Sequence, residues 1–174
     1  MAVNLRLRFP AKQIPDWSDR YSDPGDEQVQ GVVGPRCRAA GCFGKADFLA
    51  ICRWKSPRIV PRCAENSEEL IRVVTQAALN TKCEEFRINA PTLLRGVHWP
   101  VASVLLHFGH AEPYPILDFR ALWSLGWDLD GQRDFKFEFW WAYVEFCRKV
   151  ATDCGVSMRV LDRALWQYSK ENQK

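Results

Sequence analysis

The stretch LLRGVHWPVASVLLHF, residues 93–108, decides the fold, because it reads as a helix, a tight turn and a second helix. Gly96 can adopt the positive φ that ends one helix, since glycine has no Cβ to oppose it. Val97 can pack between the two helices, and Pro100 suits the first turn of the second helix. The amides of this turn and the positive end of the helix dipole together predict a seat for a phosphate group.

A second stretch, PILDFRALWSLG at residues 115–126, sets one carboxylate, Asp118, among apolar side chains. A charge in such surroundings is costly unless it is hydrogen-bonded or has a task. The following residues predict a short helix that closes at Gly126, so Asp118 can be an N-cap worth about 1 kcal/mol to that helix. It can also be a carboxylate that the first helical amides keep ionised for chemistry. Both interpretations stay open on this residue alone.

Helical periodicity continues through most of the chain, and the period-2 pattern of strands is almost absent. The sequence therefore predicts a mainly α, helical-bundle-like domain. Its other predicted helices are ADFLAICRW (46–54), with Phe48, Ile51 and Cys52 inward; a helix capped by Asn66, with Leu70, Val73, Val74 and Ala77 inward; a short helix within 84–94, kinked or split by Pro91; a helix over 134–155, with Phe139, Tyr143, Phe146 and Val150 on its face; and a last helix after Ser157.

The first 45 residues are rich in Pro, Gly, Asp and Ser, which predicts loops and short turns with room for one short helix or strand. We therefore expect an irregular segment at 1–45 and a helical domain at 46–174, packed as one compact unit. Apolar runs such as residues 101–108 are too short to cross a bilayer, and the N-terminus has no apolar core of signal-peptide length. The expectation is a cytoplasmic, soluble monomer, on the nucleoid if the source is bacterial, without a membrane partner.

The cysteines predict buried, reduced thiols, because they are odd in number and form no CxxC pair. Cys37, Cys42, Cys52 and Cys63 come nearest to the spacing of a metal site but lack its paired short intervals. His98, His107 and His110 have no further ligand type nearby, so surface or hydrogen-bonding roles are favoured. We predict neither a metal nor a cofactor.

Positive charge is concentrated between Arg36 and Arg62, a stretch that contains seven basic residues and one acidic residue, Asp47. Such a band is the footprint expected of a protein that binds a polyanion, although a solvated basic face gives the same pattern. Within it, Arg53, Lys55 and Arg58 are the side chains we expect to contact a nucleic-acid backbone.

Four features occur in order: the Gly96–Val97 turn, Ala102 in the next helix, the aliphatic run ending at Phe108, and an Asp before a short helix that closes in Leu-Gly. In these the chain resembles the helix-hairpin-helix DNA glycosylase superfamily over residues 66–126. The resemblance implies two helical lobes with a cleft, a hairpin that clamps double-stranded DNA, and a flipped base in the cleft. The essential aspartate of that family falls on Asp118.

The chain departs from the family pattern at several points. His98 stands where the hairpin usually has a second glycine, and Pro100 stands where strand-cutting members keep a lysine nucleophile, so no lyase step is expected. The four-cysteine iron–sulfur loop is absent, since Cys147 and Cys154 stand alone near the C-terminus. The chain is also short for the superfamily.

The leading hypothesis is a monofunctional DNA base-excision glycosylase, in which Asp118 assists hydrolysis of the N-glycosidic bond of a damaged or modified base. The alternative is a non-catalytic helix-hairpin-helix DNA-binding module, and a third is a structural helical protein unrelated to nucleic acid. The residues expected to contact the DNA backbone are Gly96, Val97, His98, Val101, Ala102, Arg53, Lys55 and Arg58, and those expected to stack on a base or wedge into the duplex are Trp99, Tyr114 and Trp127.

Overall fold

The computed structural model describes residues 4–127 and 135–173. Within those ranges the chain consists of helices and connecting segments without a strand, so the predicted mainly α class is confirmed. The helices fall into two compact units. We call Asp23–Glu112 the hairpin unit, and we call Met1–Ser22 together with Pro113–Lys174 the terminal unit. Among the described helices, none has the length and apolar character needed to cross a membrane.

In chain order the helices are α1 (Ile14–Asp19), α2 (Asp26–Gln28), α3 (Gly34–Ala40), α4 (Lys45–Lys55), α5 (Val60–Ala64), α6 (Glu68–Asn80), α7 (Glu84–Asn89), α8 (Trp99–Gly109), α9 (Phe119–Ser124), α10 (Phe137–Asp153) and α11 (Met158–Asn172). Short 3-10 turns adjoin them at Ala11–Gln13, Pro57–Ile59 and Ala90–Leu93, and a π-helical turn lies at Val29–Val33. The 3-10 turn at 90–93 is where Pro91 ends the regular helix, as the sequence predicted.

Helix α8 is the centre of the hairpin unit. All six residues from 101 to 106 are buried, and the helix packs against α3, α4 and α7. A helix that is apolar on all sides is stable only where other elements surround it. The burial of Phe48, Ile51 and Cys52 in α4 agrees with the inward face predicted for that helix.

Helix α6 begins one residue later than predicted and buries a different face. Its N-cap is Ser67, whose Oγ accepts from the amide of Leu70 at 3.1 Å. The buried residues are Ile71, Val74, Thr75, Ala78 and Leu79. Leu70 and Val73, expected inward, are 42% and 58% exposed. Apolar residues line two overlapping stripes of this helix, so periodicity did not distinguish the face that packs.

In the terminal unit, α11 packs against α1, α9 and α10. Its predicted cap is confirmed, because Ser157 Oγ accepts from the amide of Val160 at 3.2 Å. Helix α10 ends at Asp153, just before the predicted stop at Gly155. Its predicted start at 134 lies outside the described residues.

The buried face of α10 also differs from the prediction. Trp140, Tyr143, Val144, Cys147 and Ala151 are buried, whereas Phe139, Phe146 and Val150 are only half-buried. Aromatic residues of this helix extend well beyond one face, so their spacing alone favoured no single face.

The first 45 residues hold more helix than their composition predicted. The helical run from Asp26 to Ala40 includes two glycines, and α1 carries Pro15 in its first turn, where a missing N–H is tolerated. The two units divide the chain at Ser22 and Glu112, and no division falls at residue 45. Burial of Ile14, Val29 and Val33 stabilises these short helices in place of high local propensity.

Candidate nucleic-acid interface

The turn at residues 94–98 joins the 3-10 turn after α7 to α8. The carbonyl of Leu94 accepts from the amide of Val97 at 3.1 Å, and Gly96 between them has a φ of +82°. Val97 is 2% exposed and points into the unit, whereas His98 is exposed. The glycine turn and the helix after it are therefore formed, whereas a 3-10 turn and not an α-helix directly precedes the turn, and His98 lies on the solvent side.

Gly96 is fixed by packing as well as by its φ angle. A Cβ at this position would lie 2.7 Å from Cys63 Sγ and 3.3 Å from Arg62 Cβ. The turn therefore rests directly on α5, and no larger residue fits without movement of that helix.

A buried asparagine clamps the same turn. Asn66 is 2% exposed, and its side-chain amide donates to the carbonyls of Cys63 at 2.9 Å and Arg95 at 3.0 Å. Its Oδ1 accepts from the amide of Arg95 at 2.9 Å. The sequence favoured Asn66 as a helix cap, but its side chain instead fixes the backbone of the hairpin to α5. The interval of 29 residues between these partners left no local signal of this role.

Asn66→Ala is expected to lower the free energy of unfolding by about 3 kcal/mol, because three hydrogen bonds are lost and two backbone groups of Arg95 lose their partner. Urea unfolding followed by circular dichroism measures this. The matched control is Asn80→Ala, whose exposed amide bonds to Gly41 and Gln76 carbonyls and should cost below about 1 kcal/mol. Equal losses in the two variants would contradict the clamp.

The amides at this turn are used unequally. Those of Val101 and Ala102, which we expected to contact phosphate, both donate to the carbonyl of His98 at 2.9 Å. Their side chains are buried as well, so neither residue is available for that contact. Within the described ranges, the amides of Gly96 and His98 donate to no protein group. The donors left for an anion are therefore at 96 and 98.

The basic band divides into engaged and solvent-facing side chains. Arg36 pairs with Asp47 at 3.3 Å, and Arg38 donates to the carbonyl of Phe108 at 2.6 Å. Arg53, Arg58 and Arg62 are exposed and form no ion pair with the described residues, and the half-buried Lys55 does have an interaction within the chain.

Arg62 was not among the expected contacts, although its Cβ adjoins the Gly96 turn. Arg58 precedes it by four positions, in the 3-10 turn that leads into α5. On the hairpin itself, Arg95 pairs with Glu65 at 2.6 Å. In the sequence, only the position of Arg62 within the basic band pointed to it, and nothing showed which residues of that band lie beside the turn.

Asp118 belongs to the terminal unit and is half-buried. It is the N-cap of α9, with Oδ1 accepting from the amide of Arg120 at 2.9 Å. Gly126 follows the helix with a φ of +77°, as its predicted end requires. The predicted N-cap role of Asp118 is therefore confirmed.

A buried tyrosine holds the segment that carries Asp118. Tyr143 donates from its hydroxyl to the carbonyl of Ile116 at 2.7 Å. Burial raises the pKa of Tyr143 well above its usual value, and nearby Cys147, Asp162 and Asp118 raise it further. The phenol therefore stays neutral and keeps its hydrogen bond to the Ile116 carbonyl over the whole physiological pH range.

The three aromatics expected to meet a base have different environments. Tyr114 is 0% exposed and stacks on Trp140 with centroids 6.0 Å apart, so it is a core residue and not a stacking surface. Trp127 packs on Phe139 at 4.7 Å. Trp99 is half-buried, and its indole N–H donates to Asn89 Oδ1 at 3.1 Å. Large aromatics pack into cores by default, and the sequence did not show which would be covered.

The cysteines do not form a reactive or metal-binding centre among the described residues. No group of three or more His, Cys, Asp or Glu side chains there could hold a metal ion. Burial raises the pKa of Cys37 to about 12, and burial also raises the pKa of Cys52 and Cys63. The expected reduced and mostly buried thiols are observed, with Cys83 exposed and Cys154 half-buried.

No family model, curated protein or solved structure matches this chain. Its function therefore has to be argued from its own residues.

Proposed function

We propose that this protein binds double-stranded DNA and hydrolyses the N-glycosidic bond of a damaged or modified base, leaving the strand uncut. The observation that carries the proposal is the packed Gly96 turn followed, 22 positions later, by Asp118 at the start of a short helix. The resemblance to helix-hairpin-helix glycosylases rests on the same two features. In this proposal the hairpin unit grips the DNA, and the terminal unit supplies the chemistry.

The grip is assigned to groups of the hairpin unit that form no hydrogen bond within the described residues. The amides of Gly96 and His98 can donate to a phosphate oxygen, and the start of α8 adds the positive end of an 11-residue helix dipole. The exposed Arg62, whose Cβ adjoins the Gly96 turn, and the exposed Arg58 add positive charge to this unit. These contacts depend on phosphate and not on base identity, so they position the protein without reading sequence.

The chemistry assigned to Asp118 is electrostatic and basic. Breaking the bond between the base and C1′ of the sugar leaves positive charge on the sugar, which a fixed carboxylate stabilises. The same carboxylate can orient a water and accept its proton as the oxygen bonds to C1′, and the departing base keeps the electron pair of the broken bond and takes up a proton, which returns Asp118 to its charged form. The products are a free base and an abasic sugar in an intact strand. Pro100, at the position where strand-cutting relatives of this type carry lysine, supplies no amine for a lyase step.

Arg58→Gln combined with Arg62→Gln is expected to weaken duplex binding and to flatten its dependence on salt. Removing two phosphate contacts should reduce the slope of log K against log salt by about 1.8. Fluorescence anisotropy with a labelled duplex over a salt series measures the slope. The matched control is Lys12→Gln with Lys149→Gln, which removes the same charge from exposed positions of the terminal unit and should leave the slope unchanged. An equal change of the slope in both double variants would show that the slope depends on net charge and not on Arg58 and Arg62.

The activity itself is tested with duplexes that carry alkylated, deaminated, oxidised or hypermodified bases. After incubation with the protein, treatment with alkali should cut the strand at the modified position, and omission of alkali should leave it intact. Release of a free base, detected by mass spectrometry, should accompany each alkali-labile site. Absence of release from the whole panel would contradict the proposed chemistry.

A non-catalytic DNA-binding module is the second candidate, and one observation favours it. Asp118 already has a structural role, since its Oδ1 accepts from the amide of Arg120. A binding module would show salt-dependent affinity for duplex DNA and no abasic product from any substrate.

A further inference from the structure

Cationic and aromatic side chains alternate on the surface where α9 meets α11 in the terminal unit. We call this the α9–α11 surface, and its members are Tyr21, Phe119, Arg120, Arg163, Trp166 and Lys170. None of them is among the DNA contacts predicted from the sequence.

Arg120 lies between the rings of Phe119 and Trp166. Its guanidinium carbon lies 5.1 Å from the Phe119 ring centroid and 5.3 Å from that of Trp166. Lys170 Nζ also lies 5.1 Å from the Trp166 ring centroid, and Tyr21 meets the indole edge to face at 5.4 Å. Both of these cations are therefore in contact with aromatic rings.

Phe119 is the most exposed ring of this surface. It is 52% exposed, although it directly follows Asp118 and starts α9. The amide of Arg120 lies 2.9 Å from the Asp118 carboxylate, so the exposed ring and the proposed catalytic group stand at the same helix start. A phenyl ring of this size left half in water is available to stack on another flat group.

The acids close to the surface are already engaged. Asp162 pairs with Arg159, and Glu171 pairs with Arg20 at 3.2 Å while accepting from Gln167. Arg120 and Lys170, which lie against the Trp166 ring, therefore supply the positive charge that this surface can offer to a partner.

We propose that the α9–α11 surface binds an unpaired nucleobase and its flanking phosphates, with the base stacked on Phe119. Every nucleobase has an aromatic face, and interleaved cations match the phosphates on either side, which is the composition of single-strand binding surfaces. A docking face for a protein or a lipid would instead be a contiguous apolar patch, and here cations separate the rings. This inference rests on the proposed function, because it names what holds the base beside Asp118.

The test compares two probes, a fully paired fluorescein-labelled duplex and the same duplex with one extrahelical 2-aminopurine. The wild-type protein should bind the second more tightly and quench its 2-aminopurine fluorescence. Phe119→Ala should reduce the ratio of the two affinities by roughly tenfold, within the range measured for base–aromatic stacking. Phe119→Trp, which keeps a stacking face, should retain the ratio. Thermal unfolding by circular dichroism checks that both variants stay folded, as expected at an exposed position.

The matched control is Phe86→Ala, since Phe86 is 47% exposed but belongs to the hairpin unit. It should leave the ratio unchanged. An unchanged ratio in Phe119→Ala, or an equal loss in Phe86→Ala, would overturn the inference.

Base release is measured on the same variants, so that failure of the stacking surface can be distinguished from failure of the proposed base excision. Release from a modified substrate with no effect of Phe119→Ala on the affinity ratio overturns the stacking surface and leaves the enzymatic proposal standing. A Phe119-dependent ratio with no release from any substrate supports the stacking surface and removes the chemistry.

Discussion

Asp118→Asn is expected to reduce base release by about 10²- to 10⁴-fold, the range found when a charge-stabilising or proton-transferring group is removed from an active site. The asparagine side chain retains an oxygen that can accept from the Arg120 amide, but it carries no charge to stabilise a cationic sugar and accepts no proton from water. Single-turnover assays on a substrate found in the base panel measure the loss.

The same substitution should leave folding and DNA affinity nearly unchanged. Asparagine and aspartate are about equally good N-caps, so the free energy of unfolding should move by less than about 0.5 kcal/mol. Asp118→Ala separates the roles, because it removes the cap as well and should lower stability by about 1 kcal/mol. Asp16→Asn, an exposed acid in the first turn of α1 of the same unit, serves as control. Full activity in Asp118→Asn would contradict the catalytic role of Asp118 and would leave only its role as an N-cap.

Gly96→Ala is expected to lower the free energy of unfolding by about 2–4 kcal/mol, since it combines a left-handed backbone penalty with overpacking. The φ of +82° opposes any Cβ, and the added carbon would lie 2.7 Å from Cys63 Sγ. Relief of the contact requires the turn to move away from α5, so affinity for duplex DNA should fall together with stability. Chemical denaturation and anisotropy on the same preparations measure both effects.

Substitutions at two other glycines distinguish the backbone penalty at Gly96 from the effect of its contact with α5. Gly155 has a φ of +62° but open space around the Cβ position, so Gly155→Ala should show the backbone penalty alone, about 1–2 kcal/mol. Gly31 also has open space and carries no positive φ, so Gly31→Ala should be neutral or stabilising by up to about 1 kcal/mol. A Gly96→Ala loss no larger than that of Gly155→Ala would show that the contact with α5 is unimportant.

The Gly96 turn and the Asp118 cap were predicted because their causes are local. A left-handed glycine, a proline in a first turn and an N-cap carboxylate each act on residues within four positions. The α11 cap at Ser157 was predicted for the same reason. Whether the Gly96 turn grips DNA remains a prediction, since no local rule identifies a ligand.

The buried faces of the helices and the tertiary contacts of single side chains were harder to predict. In helices α6 and α10 the apolar residues extend beyond the face that is buried, so the side that packs is chosen by the elements around it. Tyr114 was expected at a binding surface, but packing against Trp140 buries it. Asn66 resembled a cap because Glu69 follows it, and only the approach of the hairpin gave its side chain three other bonds.

The sequence by itself determined that the chain is mainly helical and where helices such as α9 and α11 begin, because N-caps act within one turn. Only the tertiary structure decided that Arg62 lies beside Gly96 and that Phe119 and Trp166, 47 positions apart, share Arg120. Such encounters depend on how helices pack, and packing energy is the sum of many weak contacts whose partners no short stretch of sequence specifies.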